Sequence, residues 1–217
     1  MAFPIDLRLK DWPCLIVGGG EVSARRLRLL LQNQARVTLV SPSLHAGIEP
    51  HRAAITWVPR KFLPDDCQQQ KLVVIAISDR QESRSIAQLC KEHGALVNVA
   101  DAPELCDFYF GALHQKEPLT VAVFSNGQAP GFAAKVRDQI ADSLSLGLSG
   151  QAQDYIEYRS KLMQRTETSS ERAALLRRFL DTSLQLRAKV PELRRQAQPF
   201  LSGVYFVGAG PGDPELL

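Results

Sequence analysis

The sequence predicts an α/β fold built around a Rossmann-like, doubly wound parallel sheet. Over roughly the first hundred residues, short apolar runs typical of buried strands alternate with segments of helical periodicity. A glycine-rich loop separates the first apolar run from the first helical segment, which is the order found in dinucleotide-binding folds. Beyond residue 101 we expect an appended β-hairpin and helix, followed by a C-terminal helical domain.

The individual elements follow from local patterns. Asp79 or Ser78 is placed to cap a helix over 80–93, and Pro130 lies near the first turn of a later helix. Residues 107–125 are predicted to form a hairpin whose turn contains His114, and Gly-Leu-Ser-Gly at 147–150 is a linker. The five predicted strands of the parallel sheet are 12–17, 36–43, 55–62, 71–78 and 95–101.

Composition excludes several classes of protein. The net charge of +3 is too small to indicate a nucleic-acid partner, and no apolar run approaches the length of a membrane span. The N-terminus lacks the pattern of a signal peptide, so we expect a cytoplasmic protein. Four widely spaced cysteines are interpreted as reduced thiols and not as a disulfide or zinc framework.

Positive charge is concentrated in residues 151–200, which hold ten Lys and Arg residues against six acidic ones. Two interpretations stay open. The segment is a solvated helical face, or it is a basic rim for a polyanionic substrate.

The glycine loop is the clearest functional signal. Residues 14–26, CLIVGGGEVSARR, combine a strand, a Gly-x-Gly loop and a helix start. Gly18 allows a tight turn, Gly20 lets backbone N–H groups approach a pyrophosphate at the helix N-terminus, and Ser23 is a small residue in place of the third glycine. The pattern predicts a dinucleotide site, and a glycine turn without a ligand is the alternative.

The end of the second predicted strand bears on the choice between NAD and NADP. Dinucleotide-binding folds commonly carry Asp or Glu there to bind the ribose hydroxyls. This chain has Ser41, Pro42 and Ser43, whose hydroxyls and backbone amides could contact the ribose. No arginine follows immediately to hold a 2′-phosphate, and we therefore expect NAD.

Further polar residues stand where the later parallel strands end. Ligands bind outside the carboxyl ends of such strands, so these residues should line the cofactor cleft. Asp101 could accept a proton, bind a metal cation, or simply cap the turn that Ala102 and Pro103 form. The histidines show no ligand spacing, and no catalytic triad is visible. The polar strand-end residues are Ser78, Asp79, Asn98 and Asp101.

Three stretches together resemble one family. CLIVGGGEVSARR, NVADAPELCDF and VAVFSNGQAPGFAAKVRDQI are similar to the N-terminal precorrin-2 dehydrogenase and sirohydrochlorin ferrochelatase module of siroheme synthases. The resemblance runs from about residue 4 to about residue 200. It departs from the family pattern at Ala129, which stands in place of the motif's second serine, and the motif begins here with Phe124 and Ser125. The closing VYFVGAGPGDPELL resembles the start of a uroporphyrinogen-III C-methyltransferase domain, which uses S-adenosylmethionine.

The resemblance implies an activity and a set of roles. The family oxidises precorrin-2 with NAD⁺ and then inserts Fe²⁺, and Asp101 matches the acidic residue proposed as base and as a transient participant in metallation. Asn98 would position the nicotinamide or orient Asp101. It also implies a tetrapyrrole substrate. The appended hairpin and the helix at 130–146 predict a homodimer, and charge and hydropathy predict no nucleic-acid or membrane partner. The implied cofactor-binding residues are Gly18, Gly19, Gly20, Glu21, Val22, Pro42, Ser43, Ser78, Asp79, Asn98 and Val99, and the implied substrate-binding residues are Ser125, Asn126 and Gly127.

The expected organisation has four parts. They are an NAD-binding Rossmann domain over 1–112, a dimerisation region over 113–148, a helical domain over 149–200, and a truncated methyltransferase start over 201–217, without methyltransferase activity of its own. Three alternatives remain. They are a dehydrogenase without chelatase activity, a non-catalytic NAD-sensing module, and a vestigial module beside an active methyltransferase.

Overall fold

The computed structural model describes residues 3–144, 148–164 and 168–183. The chain divides into two compact units, one formed by Asp6–Tyr109 and the other containing the described residues from Phe110 onward. The predicted methyltransferase start and the end of the basic segment lie outside the described residues.

The first unit is built on a five-stranded parallel sheet of order β3-β2-β1-β4-β5. In β4 all four residues are buried, as expected for a central strand covered on both faces. This order, with β1 between β2 and β4, confirms the doubly wound sheet. The strands are β1 (Pro13–Val17), β2 (Arg36–Val40), β3 (Thr56–Val58), β4 (Leu72–Ile75) and β5 (Leu96–Val99).

Two helices connect these strands. Helix α1 (Glu21–Gln32) follows the glycine loop and buries Leu27 and Leu30. Helix α2 (Arg80–Glu92) begins after Asp79, whose carboxylate accepts hydrogen bonds from the N–H groups of Gln81 and Glu82, so this predicted cap is confirmed.

The third strand is shorter than predicted. It ends at Val58 and not at residue 62, because Pro59 has no N–H to donate and the Arg60 N–H turns back to the Val58 carbonyl at 2.9 Å. The chain then continues through a 3₁₀ turn at Pro64–Cys67 before it enters β4.

The prediction of four reduced cysteines is wrong for two of them. Cys67 and Cys90 form a disulfide that joins the Pro64–Cys67 turn to α2, with their Cα atoms 5.2 Å apart. Both residues belong to the buried core of the first unit. They are 23 positions apart, and only the packing of the turn against α2 brings them together. Cys14 and Cys106 are free, and burial raises the pKa of the Cys14 thiol to about 11.

The second unit begins with an antiparallel hairpin of β6 (Ala112–Lys116) and β7 (Leu119–Val123). His114 lies in β6 opposite Val121, so its predicted place in the turn is wrong. The turn is shorter than the polar sequence suggested, and Glu117–Pro118 forms it with a cis peptide bond. Helix α3 (Pro130–Ser143) packs on the hairpin through Ala133 and Ile140.

Helices α4 (Leu148–Met163) and α5 (Ser169–Ser183) pack against each other. Phe179 of α5 stacks on Tyr158 with 5.1 Å between ring centroids and contacts Tyr155 at 5.8 Å. Across the described ranges no helix is both long and apolar enough to cross a membrane.

Candidate functional site

Two of the three glycines in the loop after β1 pack tightly against neighbouring residues. Gly18 has a φ of 109°, donates its N–H to the Val40 carbonyl at 2.9 Å, and leaves no room for a Cβ atom beside the carbonyl of Ala76. A Cβ atom on Gly19 would overlap the Ser43 carbonyl oxygen and lie 2.6 Å from Ser41 Oγ. Both positions therefore need glycine for packing.

Gly20 differs from its two neighbours. It is the N-cap of α1, has an extended backbone (φ −84°, ψ −171°), and makes no side-chain cap. No heavy atom lies within 4 Å of the position a Cβ atom would take. Gly20 directly precedes α1, whose first N–H groups and helix dipole favour an anion. This loop fits the pyrophosphate of a dinucleotide, and Glu21 and Val22 follow it in the first helical turn.

Ser23 occupies the position of the third glycine and is fully buried. A small side chain is therefore tolerated where the helix packs against the sheet, as the sequence predicted. Within the described ranges Ser23 Oγ has no hydrogen-bond partner.

The segment after β2 closes over the glycine loop. Ser41 is buried and donates its hydroxyl to the Ser43 carbonyl at 2.8 Å, so this hydroxyl is used within the protein. The Trp57 indole N–H donates to the Ser41 carbonyl at 2.9 Å. Pro42 and Ser43 are exposed at this edge. His45 was missed as a contributor, because its role is a backbone one: its N–H donates to the Gly19 carbonyl at 2.7 Å.

Asp101 follows the end of β5, at the same edge of the sheet as the glycine loop. The Ala100 N–H donates to the Ile75 carbonyl at 2.8 Å, which keeps the chain beside β4 up to this point. Asp101 is exposed and has a φ of 57°, a left-handed conformation that is uncommon for residues other than glycine. Such conformations persist where the surroundings enforce them, and they are enriched at functional sites.

Cys106 holds the turn that carries Asp101. Its sulfur accepts from the Val99 N–H at 3.2 Å and lies within hydrogen-bonding distance of the Val99 and Ala102 carbonyls, at 3.3 and 3.4 Å. Burial raises the pKa of this thiol, so it keeps its proton and can donate at neutral pH. The backbone adds a hydrogen bond from the Leu105 N–H to the Ala102 carbonyl at 3.0 Å.

Two further side chains fix the returning segment. Asn98 is buried and its amide donates to the Phe108 carbonyl at 2.9 Å. The Asp107 carboxylate accepts from the Val97 N–H at 3.0 Å and pairs with Lys91 at 2.7 Å. The Asn98 amide thus makes a hydrogen bond within the protein, to the segment that follows the Asp101 turn, and its expected contact with nicotinamide stays a prediction. Sequence reasoning missed Cys106 and Asp107, and their only sequence signal was their place just after the Asp101 turn.

The carboxyl end of β4 carries the remaining residues of the predicted cleft. Ser78 and Asp79 are both exposed there. One carboxylate oxygen of Asp79 already accepts the two N–H groups that cap α2, at 2.9 Å each. Val99, in contrast, is buried in β5 and can offer only its backbone.

The loop that begins at Ser125 belongs to the second unit. Ser125 Oγ accepts from the Ala129 N–H at 3.1 Å, and Asn126 and Gly127 both have positive φ values of 52° and 75°. These contacts form a tight turn directly before α3, and its role in substrate binding stays a prediction. The described residues include no cluster of three or more His, Cys, Asp or Glu residues that could hold a metal ion.

Two family models match the chain. One is described as "Putative NAD(P)-binding" and matches residues 5–112, and the other is described as "Sirohaem biosynthesis protein central" and matches residues 116–143. A solved structure named SirC, precorrin-2 dehydrogenase, superposes with a TM-score of 0.71 and 22% identity, over 91% of this chain and 98% of that one. At this identity the likeness supports the shared fold.

Curated relatives match the chain over almost its whole length. It is 36% identical to the siroheme synthase of Methylococcus capsulatus and 35% identical to that of Thioalkalivibrio sulfidiphilus, in both cases over 99% of this chain. The chain spans about half the length of these relatives, 48% and 47% respectively. With the sirohaem model matching its centre, the chain is homologous over almost its whole length to about half of a siroheme synthase.

Proposed function

We propose that this chain oxidises precorrin-2 to sirohydrochlorin with NAD⁺, and that Asp101 is the proton acceptor. The observation that carries the proposal is the exposed Asp101 carboxylate after β5, at the sheet edge that also bears the glycine loop. The family supplies the tetrapyrrole substrate class, since the relatives are named siroheme synthase and the solved structure precorrin-2 dehydrogenase.

The chemistry needs two acceptors. NAD⁺, when bound, supplies the acceptor for the hydride that leaves a substrate carbon with its electron pair. The accompanying proton leaves to the Asp101 carboxylate and then to water, because a carboxylate within reach of the reacting group acts as a general base. The open backbone at Gly20 and the N-terminus of α1 hold the dinucleotide pyrophosphate. Ser43 and Pro42 line the ribose side of the same edge.

We extend the proposal to insertion of Fe²⁺ as a second substrate. Insertion releases two pyrrole N–H protons, and an exposed carboxylate can accept them one after the other. Asp101 would also contact the incoming cation, for which oxygen ligands are suited. S-adenosylmethionine would belong to a methyltransferase domain that starts at the chain's last residues, which lie outside the described ranges.

Substrate carboxylates would be bound by the Ser125–Gly127 turn and by the basic helices. In α4 and α5 the side chains of Arg159, Lys161 and Arg177 are exposed, which favours a polyanionic ligand over an apolar one. A homodimer in the cytoplasm completes the proposal. The β6–β7 hairpin is a separate two-stranded sheet with α3 packed on it, so both of its strands have an edge that could pair with a second copy of the chain. Light scattering should then give twice the monomer mass.

The decisive experiment follows NADH absorbance after precorrin-2 and NAD⁺ are mixed with the purified chain, with oxygen excluded. Fe²⁺ is then added, and the product spectrum is recorded. Asp101→Asn removes the charge while keeping a residue that tolerates the left-handed conformation. We expect this variant to lower kcat for oxidation by about 10²–10⁴-fold, the usual range for loss of a general base.

Glu104→Gln is the matched control. It removes a carboxylate three positions further along the same turn, whose contact is a 3.8 Å ion pair with Arg84 between exposed side chains. We expect wild-type turnover from this variant. Full-rate oxidation by Asp101→Asn would contradict the proposed base. NADH binding without turnover in the wild-type chain would favour the sensing module.

A further inference from the structure

The edge of the sheet after β2 lacks the acidic residue that usually identifies an NAD site. A carboxylate at that place binds the ribose 2′-hydroxyl, and by its charge it also repels the 2′-phosphate of NADP. Ser41, Pro42 and Ser43 stand there instead, and the Ser41 hydroxyl is bound to the Ser43 carbonyl. Selection against NADP must therefore come from another residue.

An arginine lies beside this edge. The backbone N–H groups of Ser41 and Arg60 donate to the same oxygen, the carbonyl of Val58, at 3.2 and 2.9 Å. Arg60 is thus a direct spatial neighbour of the first residue after β2, although 19 positions separate them in the sequence. From this position an arginine side chain is long enough to reach a phosphate bound beside Ser41, and its planar fork matches a phosphate group.

The guanidinium of Arg60 is occupied by Asp66. Arg60 Nη1 and Nη2 donate to the two carboxylate oxygens of Asp66 at 2.7 and 2.8 Å, and Nη1 also donates to the Lys61 carbonyl at 2.9 Å. Asp66 is fixed in turn, because the Leu63 N–H donates to it at 2.8 Å and its side chain is 11% exposed. The hydrogen bonds from Arg60 lower the pKa of Asp66, which keeps it ionised at neutral pH.

We propose that Asp66 is a specificity-determining residue: by holding Arg60 in a bidentate ion pair, it withholds an arginine fork that could bind a 2′-phosphate beside β2. The ion pair is neutral as a whole and both η nitrogens of Arg60 are engaged, so Arg60 offers the 2′-phosphate of NADP no unpaired charge. This inference rests on the proposed dinucleotide site at the glycine loop.

A second arginine near the edge does not discriminate in this way. Arg52 lies 4.3 Å from the centre of the Trp57 ring, and the Trp57 indole N–H donates to the Ser41 carbonyl. None of the variants below substitutes Arg52 or Trp57, so a change in preference among them is assigned to Arg60 and Asp66.

The test compares dissociation constants for NADH and NADPH by nucleotide fluorescence, which reports binding without turnover. Asp66→Ala removes both carboxylate acceptors of Arg60 and leaves its bond to the Lys61 carbonyl, and Asp66→Asn removes the charge while keeping an acceptor for the Leu63 N–H. The matched control is Asp65→Asn, which removes the neighbouring carboxylate, bound to Gln68 Nε2 at 2.9 Å and not to Arg60. The double variant Asp66→Ala/Arg60→Gln removes the released arginine as well.

We expect both Asp66 variants to raise the affinity for NADPH relative to NADH by about tenfold, as a released arginine–phosphate pair should. The double variant should lose this gain, and Asp65→Asn should keep the wild-type ratio. If the folded Asp66 variants have the same ratio of NADPH to NADH dissociation constants as Asp65→Asn, the inference is overturned. A wild-type chain that binds neither nucleotide would instead refute the proposed dinucleotide site.

Discussion

The three loop glycines should respond differently to the same substitution, because only Gly20 faces open space. An alanine at Gly20 meets no atom within 4 Å and keeps an allowed extended backbone. The poorer N-cap and the lower entropy of the unfolded chain offset each other, so the free energy of unfolding should change by less than about 1 kcal/mol. The methyl group nevertheless occupies the space through which a pyrophosphate reaches the backbone.

Gly19→Ala should instead unfold the site. The new methyl group overlaps the Ser43 carbonyl, and the loop after β2 must move away. That movement breaks the bonds from Ser41 Oγ to Ser43 at 2.8 Å and from the His45 N–H to Gly19 at 2.7 Å. Two lost hydrogen bonds and the overpacking together should lower the free energy of unfolding by about 3 kcal/mol.

Urea denaturation and NADH fluorescence titration separate the two effects. For Gly20→Ala we expect near-wild-type stability and an NADH dissociation constant raised about tenfold or more, because a charge-assisted bond to phosphate is lost. For Gly19→Ala we expect the loss of stability itself. Wild-type affinity in Gly20→Ala would show that the dinucleotide does not approach the backbone there. Wild-type stability in Gly19→Ala would refute the packing argument.

Three other measurements test the described contacts. Cys106→Ala should lower kcat for oxidation about tenfold with little change in KM for NAD⁺, and Cys106→Ser should recover part of the loss, because the sulfur positions the turn that carries the base. Thiol titration of the denatured chain should give two thiols without reductant and four with it, since Cys67 and Cys90 are bonded, and four in both cases would contradict the disulfide. Because Arg60 lowers the pKa of Asp66 in the folded state, the stabilisation is present above the unfolded pKa and is lost as pH falls below about 4. Urea denaturation should show that the free energy of unfolding falls more between neutral and low pH in the wild type than in Asp66→Asn.

The sheet could be predicted from sequence because its signals are local. Each strand is a short apolar run, and the capping carboxylate of Asp79 stands next to the helix it begins. The end of β3 was misjudged because Pro59 lies within an apolar pattern and removes a donor, an effect that hydrophobicity does not report. The Cys67–Cys90 bond was hidden for a different reason, since it depends on how a 3₁₀ turn packs on a helix.

The glycine loop could likewise be predicted from the sequence, but the separate role of each of its three glycines could not. The sequence pattern assigned the tight turn to Gly18 and the ligand approach to Gly20; the positive φ of Gly18 agrees with the first, and the second stays a prediction. It did not reveal that Gly19 packs against the Ser43 carbonyl, or that the Ser41 hydroxyl is turned inward. Those facts depend on the position of the loop after β2, which is a tertiary contact.

The Asp101 turn holds an exposed carboxylate, the proposed proton acceptor, in an unfavourable backbone conformation. The left-handed backbone of Asp101 costs on the order of 1–3 kcal/mol. The Val99 N–H donates to the Cys106 sulfur and the Val97 N–H to the Asp107 carboxylate, and these hydrogen bonds contribute about 1 kcal/mol each, which offsets a cost of this size. Their partners are groups of the neighbouring strand and turn, and the Asp101 carboxylate takes no part in them within the described ranges. The turn is thus rigid in its backbone while its carboxylate is available to a ligand, which is the arrangement a proton acceptor needs.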